Sequence, residues 1–438
     1  MRILLTGATG FIGRALLKAL HSAGHTLVCV SRKPPAAAAT LPRVSWVCLD
    51  FEQAVEPHAW LAALQGVDVV INAVGILREA PGQGFEALHH RAPVALFDAC
   101  VQAGVQRVLQ ISALGADAQA RSAYHLSKRA ADDHLLALPL NAVVLQPSVV
   151  FGPGGASARL FLGLASLPLL PLPAGGHQPL QPVHLDDLVQ AVVTLVAEPL
   201  RCRGQRLPIV GPQALSLADY LAALRQALGW PAAWRVAVPA PLVALAARLG
   251  DGLPGALLDS QSWQMLQRGN TGPADALCTL LGRSPRAIDD FVPAEQAAGW
   301  RHTAAWAWLQ PLLRASLAAV WLATAAVSAG LYPVAQSYEL LARSGVPPAW
   351  QPLMLYGAVG LDLLLGVLTL WRLSPAARRR LWLAQAALIT GYTLIISVRL
   401  PEFWLHPYGP LTKNLPILAL LLLLYAMEPR EAERRWTT

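Results

Sequence analysis

Apolar positions in the first third of the chain come in short blocks separated by longer amphipathic stretches. The blocks Ile3-Leu4-Leu5 and Leu27-Val28-Cys29-Val30, and those within residues 44–49, 67–72, 108–112 and 142–146, read as six successive strands. Continuous apolar runs of this length suit strands buried on both faces. Their alternation with helix-like stretches predicts a parallel sheet with helices on both sides. The expected class for residues 1–155 is therefore α/β, a Rossmann-type doubly wound sheet. Residues 156–300 are richer in proline and loops, with helix candidates at 217–228, 241–249 and 271–281. They read as a smaller cap or substrate region of the same unit. Within them the apolar stretch 160–172 is too short and too proline-rich to span a bilayer. It suits the lining of an apolar cleft, a segment dipping into a membrane face, or plain core.

The pattern changes at about residue 301. Four long apolar stretches follow, at 312–331, 352–371, 381–398 and 411–427. Crossing the hydrocarbon core takes about 20 mostly apolar residues, and the fourth stretch is near the short limit. Aromatic residues at the segment ends, among them Trp308, Tyr332, Trp350, Trp371 and Trp404, resemble interfacial belts. Residues 301–438 are thus expected to form an all-α, four-helix transmembrane bundle. Composition agrees: 55% of residues are hydrophobic and 14% charged, against about 25% charged in soluble proteins.

Charge adds an orientation. Arg372, Arg378, Arg379 and Arg380 lie between the second and third stretches, and Arg430, Arg434 and Arg435 in the tail, whereas the opposite loops hold Arg343, Arg399 and Lys413. Positive loops stay inside. The expected location is the cytoplasmic membrane, multi-pass, with both termini and the nucleotide domain in the cytoplasm. Net charge is +8, without a basic run interleaved with aromatics. The lipid bilayer is therefore the expected macromolecular partner, and nucleic acid is not. Five scattered cysteines form no CxxC pair, against a disulfide framework or a zinc site, and no metal is expected. The N-terminus enters a strand directly and reads as no signal peptide. Asp362 sits in mid-span, where a carboxyl is costly and is either functional or a structural group facing the bundle. Arg314 is placed to snorkel to the cytoplasmic interface. His89-His90 have no partner at metal-ligand spacing and read as surface residues.

Thr6-Gly7-Ala8-Thr9-Gly10-Phe11-Ile12-Gly13 follows the first strand and opens a helix. Gly7 permits the tight turn, Gly10 lets backbone approach a pyrophosphate at the helix N-terminus, and Gly13 lets helix and sheet pack closely. After strand two, Ser31-Arg32-Lys33 stands where an acid would bind the ribose 2′-hydroxyl of NAD. A guanidinium there matches a 2′-phosphate, so NADP(H) is the preferred cofactor and NAD(H) the alternative. Farther on, Tyr124 and Lys128 stand four apart on one helix face. A tyrosine serves carbonyl–alcohol chemistry as acid or base if its pKa is lowered, and a neighbouring ammonium lowers it. Ser112, at the end of strand five, either bonds the substrate oxygen or is a plain turn serine.

Together these residues resemble the extended or atypical branch of the short-chain dehydrogenase/reductase superfamily, over residues 1–292. The likeness rests on residues 6–13, Asp50-Phe51, Asn72-Ala73-Val74-Gly75, Ser112, Tyr124 with Lys128, and residues 146–153. It implies that Thr9, Phe11 and Ile12 join the glycines around the cofactor and that Asp50 and Phe51 lie at the adenine. Ala73, Val74 and Gly75 would line the cofactor, Lys128 would hold the nicotinamide ribose, and Pro147, Val149 and Val150 would pass beside the nicotinamide. His184-Leu185-Asp186-Asp187-Leu188 matches a segment that is mainly structural in such proteins. Ile111-Ser112-Ala113-Leu114-Gly115-Ala116-Asp117 is similar to the nucleotide-binding accessory subunits of respiratory complex I and their bacterial relatives. The short gap from Ser112 to Tyr124 argues against a sugar-nucleotide substrate. The C-terminal part resembles the DoxX-like membrane family. Two functions follow as expectations. One is a membrane-anchored NAD(P)H-dependent oxidoreductase with Tyr124, Lys128 and Ser112 catalytic, acting on a small-molecule, lipophilic carbonyl or alcohol. The other is a non-catalytic NAD(P)H-binding scaffold that docks with subunits of a membrane complex.

Overall fold

The computed structural model describes residues 1–33, 41–80, 82–198, 201–253 and 258–429. The chain forms two compact units, Met1–Ala304 and Ala305–Thr438.

Seven parallel strands build the first unit's main sheet: β1 (Arg2–Thr6), β2 (Thr26–Ser31), β3 (Val44–Cys48), β4 (Val69–Asn72), β5 (Arg107–Ile111), β6 (Asn141–Pro147) and β7 (Gln205–Ile209). Their spatial order is β7-β6-β5-β4-β1-β2-β3, the doubly wound arrangement. The direction of winding reverses between β1 and β4, which opens a crevice at their C-terminal ends. Six of the strands stand where the apolar blocks predicted them. The seventh was not expected: residues 205–209, reading Gln-Arg-Leu-Pro-Ile, carry little apolar pattern, yet they pair with β6 in register from Gln205–Val143 to Ile209–Pro147. Only Leu207 and Ile209 are buried, as an edge position allows.

Helices cover both faces. On one side α1 (Phe11–Ser22) packs with the later helix Leu185–Ala197, and Leu16, Leu20, Leu188 and Leu195 meet Ile3, Leu5 and Leu109. On the other, α2 (Ala92–Gln102) and α3 (Ala123–Ala137) set Leu96, Phe97, Ala131 and Leu135 against Leu4, Val70 and Val108. A third cluster lies in residues 151–304, where Leu162, Leu170 and Leu172 pack with Tyr220, Leu224 and Phe291. The stretch 160–172 thus supplies core side chains, split between a helix (Ala156–Ala165) and a strand (Leu169–Pro173). The helix expected over 271–281 begins only at Asp275.

Three helices among the described residues are long and apolar enough to cross a membrane: Ala294–Leu331, which begins in the first unit, and Pro348–Leu370 and Pro375–Arg399 in the second. The fourth apolar stretch forms a 14-residue helix, Asn414–Met427. Buried amides and hydroxyls link the long helices. Trp321 Nε1 donates to Gln385 Oε1 (2.9 Å), and Gln385 Nε2 donates to Thr369 Oγ1 (2.9 Å), interhelical bonds suited to an apolar surround. Arg314 has partners within the unit. Its guanidinium donates to the carbonyls of Thr369 (2.6 and 2.9 Å) and Trp371 (3.1 Å), satisfying the end of helix Gln351–Leu370. Asp362 is buried within the unit, its Oδ1 without a hydrogen-bond partner among the described residues. Arg378 pairs with the buried Glu428 through two 2.8 Å bonds. Arg430, Arg434 and Arg435 lie outside the described residues.

Candidate active site

The loop between β1 and α1 is shaped by what a side chain would strike. Gly7 has φ +68°, and a Cβ there would stand 2.6 Å from the Ala73 carbonyl oxygen. At Gly13 a Cβ would lie 2.0 Å from Gly7 O, so α1 can seat on the loop only with glycine there. Gly10 caps α1, its N–H bonded to Gly7 O at 2.8 Å. Thr9 and Gly10 are exposed, leaving the first amides of α1 facing the crevice, the arrangement that receives a pyrophosphate. Phe11 turns its ring toward Gly152 and Gly155, and Ile12 packs on the sheet core. This cradle fits a dinucleotide.

Behind the crevice runs a buried polar chain. Thr6 Oγ1 donates to Asn72 Oδ1 (2.5 Å), and Asn72 Nδ2 donates to Gln110 Oε1 (2.7 Å). Asn72 Oδ1 also accepts from the N–H of Val74 (3.3 Å), holding residues 73–75 at the end of β4. At the adenine end, Asp50 Oδ1 accepts from Glu52 N (3.1 Å), while the Phe51 ring is buried edge-on against Trp60. Phe51 can therefore face a cofactor only through its backbone. Arg32 is exposed just past β2, with the Gln83 amide oxygen, once turned toward it, 2.7 Å from its guanidinium. The Ser31 hydroxyl is engaged with the backbone of Lys33.

Tyr124 and Lys128 both stand on α3, whose first turn is capped by Ser122 Oγ accepting from His125 N (3.3 Å). Lys128 is buried, and its Nζ donates to the carbonyls of Val74 (3.0 Å) and Ile111 (3.2 Å). Two of the ammonium's three donors are thus spent, leaving one for a ribose hydroxyl. A Cβ on Gly75 would come within 3.1 Å of this Nζ. Burial pushes the Lys128 pKa down, opposed by the carboxylate of Asp132 one turn on.

Three expectations are corrected here. First, the Tyr124 hydroxyl is not shifted down by Lys128; burial, with Asp132 adding to it, pushes it up to about 12. The ammonium donates instead to the carbonyls of Val74 and Ile111. Second, the Ser112 hydroxyl is engaged within the protein. It is buried and its hydroxyl donates to the Asp132 carboxylate. Asp132 is itself buried and held toward its neutral form by desolvation. Third, His89 is not a surface residue. It is 0% exposed, on a widened helical turn (Glu86–Arg91) that leads into α2. Its Nε2 accepts from the N–H of Ile76 (3.0 Å), so Nδ1 carries the proton and donates to Ser127 Oγ (3.2 Å). Burial and the Lys128 charge hold its pKa down at about 2. Phe85 stacks on it and the edge of Tyr124 meets it at 5.4 Å. Nothing in the local pattern signalled this role, because the contact joins residues far apart in the chain.

On the far side of the crevice, Pro147 ends β6 and Val149 N donates to Asn270 Oδ1 (2.9 Å), with Val150 packed on the core. Arg268 donates to Gly115 O (2.7 Å) and pairs with Asp117, tying helix Ser260–Arg268 to the loop after β5. His184 caps its helix, and Asp186 and Asp187 pair with Arg286 and Arg283. Their hydrogen bonds serve the fold. A separate cavity of about 410 Å³ lies in the second unit, lined by Tyr332, Leu355, Ile396 and Asn414 among others. It shares no residue with the nucleotide loop.

Sheet order and glycine cradle define a doubly wound fold of the dinucleotide-binding type. Residues 3–207 are similar to the NAD dependent epimerase/dehydratase family and residues 318–422 to the DoxX-like family. Among curated proteins the chain is similar to ceramide reductase of Caulobacter vibrioides, 28% identical over 203 residues, covering 45% of this chain and 62% of that protein. It is also similar to mitochondrial NADH dehydrogenase (ubiquinone) 1 alpha subcomplex subunit 9 of Arabidopsis thaliana, 28% identical over 220 residues, covering 48% and 54%. The chain thus spans little more than half the length of these relatives. Among solved structures, a nucleoside-diphosphate-sugar epimerase from Staphylococcus aureus superposes with a TM-score of 0.54 at 18% identity, covering 67% of this chain and 99% of that one. UDP-glucuronic acid 4-epimerase from Bacillus cereus gives 0.51 at 20%, covering 69% and 99%. These two share the fold.

Proposed function

We propose that the chain is a membrane-anchored NAD(P)H-dependent reductase acting on a lipophilic carbonyl, with NADPH preferred. One observation carries this reading: Tyr124 and Lys128 share a face of α3, and Lys128 Nζ is held by Val74 O and Ile111 O with one donor to spare. When bound, the nicotinamide supplies the hydride. Tyr124, a neutral phenol at pH 7, donates the proton to the carbonyl oxygen, so the site is set for reduction. Lys128 anchors the ribose, and residues 7–13 orient the pyrophosphate. Ser112 supports Asp132, which faces Lys128 from behind. Arg32 receives the 2′-phosphate. A lipid-like substrate suits a domain tied to apolar helices and a relative named ceramide reductase. The anchor crosses the cytoplasmic membrane four times, the last by Asn414–Met427, with the nucleotide domain in the cytoplasm.

The second reading, an NAD(P)H-binding subunit without turnover, is favoured by the complex I relative. Two substitutions separate them. Tyr124→Phe removes only a hydroxyl; the reductase reading expects unchanged NADPH affinity and turnover lowered by about 10²–10⁴-fold. Gly10→Val obstructs the pyrophosphate site and should abolish function under either reading. Full complementation of a deletion strain by Tyr124→Phe, with loss in Gly10→Val, would leave the scaffold and overturn the reductase.

A further inference from the structure

The first unit carries an apolar face that its own fold leaves uncovered. Helix Ala240–Asp251 buries Val243 and Ala247 against Trp263. On its opposite side Leu242, Leu245 and Leu249 point outward, Leu245 being 55% and Leu249 65% exposed. An amphipathic helix of a soluble domain would place polar residues there; this one is apolar on both sides. Strand Trp234–Val238 precedes it and pairs with Leu169–Pro173, bringing Trp234 beside Leu169. Trp234 is 79% exposed, and Leu169 and Val236 are exposed as well. Exposed apolar side chains grouped in this way on a domain surface mark interaction sites.

We infer that this face docks on the bilayer as an interfacial helix. The charge pattern selects lipid. Between Trp230 and Gly250 the chain has two exposed arginines, Arg235 and Arg248, and no acidic residue; the helix ends on the exposed Asp251, whose carboxylate is bonded to Ser260. Cations beside an apolar face, with a tryptophan at its edge, match anionic headgroups over acyl chains. Twelve residues of helix reach about 18 Å, too short to cross the hydrocarbon core but sufficient to lie along it. A bilayer is always at hand, because the same chain carries three helices able to span one. Tethering makes even weak docking effective. Docking stands whether or not Tyr124 turns over a substrate. It would also set the neighbouring helix Ser260–Arg268, which is tied to the loop after β5, at the lipid surface.

The test uses the full chain in nanodiscs, with Cys48, Cys202 and Cys278 replaced by serine. Single cysteines are introduced as Leu245→Cys or Trp234→Cys, and as Gln102→Cys on an exposed position of α2, each labelled with bimane. Nanodiscs contain phosphatidylcholine and phosphatidylglycerol, with or without brominated acyl chains. The expected result is loss of bimane emission at 245 and 234 in brominated lipid and none at 102. Added Arg235→Glu and Arg248→Glu should restore emission. Equal emission with and without bromine at both 245 and 234 overturns the inference. So does a blue shift that rises with protein concentration without bromine quenching, which would assign the face to a second copy of the chain.

Discussion

His89 shows how much a single buried side chain can organise. Its neutral ring joins the loop after β4, through Ile76, to α3, through Ser127, and so braces the two segments that hold Lys128. Keeping an imidazole neutral has a pH signature. The folded-state pKa of about 2 lies below the ordinary 6.5, so the unfolded chain binds the proton first. Stability from this residue is complete above pH 6.5 and is lost as pH falls from there toward 2, at up to about 1.4 kcal/mol per pH unit. His89→Gln keeps a hydrogen-bonding group but cannot titrate. Denaturant unfolding at pH 7.5 and pH 5.5 should therefore show a smaller acid loss in the variant, by up to about 1 kcal/mol. Identical losses would mean that His89 does not carry the effect.

At the scale of elements, the proposed preference for NADPH rests on the end of β2. Ser31 is engaged with its own turn, which leaves Arg32, beside Gln83, as the cation placed to meet a 2′-phosphate. A hydrogen bond to a charged group contributes about 1.5–3 kcal/mol. Arg32→Ala should thus weaken NADPH about tenfold or more and leave NADH nearly unchanged, as read by fluorescence titration. Equal affinities of the unmutated protein for both would end the assignment. The strands themselves were legible because apolar blocks buried on both faces leave an unbroken mark. β7 was not, since at the edge it buries only alternate residues and includes Pro208.

For the whole molecule, the arginines give a testable orientation. Arg378, at the start of one span, pairs with Glu428 just past the last apolar helix, so these two ends lie together. With four crossings, reporter fusions after Met427 and within residues 333–350 should report opposite sides of the membrane. Matching signals would exclude the four-span arrangement. The 14-residue last helix covers about 21 Å, which makes this fusion pair the informative one.

Features written in local order were readable from the sequence alone: the strand blocks, the glycine turn after β1, the Tyr124/Lys128 spacing and the apolar stretches after residue 301. Each depends on near neighbours in the chain, through backbone geometry, one helix turn or simple length. What tertiary structure decided was where side chains turn once distant segments meet. Ser112 faces Asp132, 20 residues away, Lys128 faces a carbonyl 54 residues away, and His89 faces Ser127, 38 residues away. Burial then set their protonation, raising Tyr124 and lowering His89. Desolvation depends on everything packed around a group, and no stretch of sequence contains that.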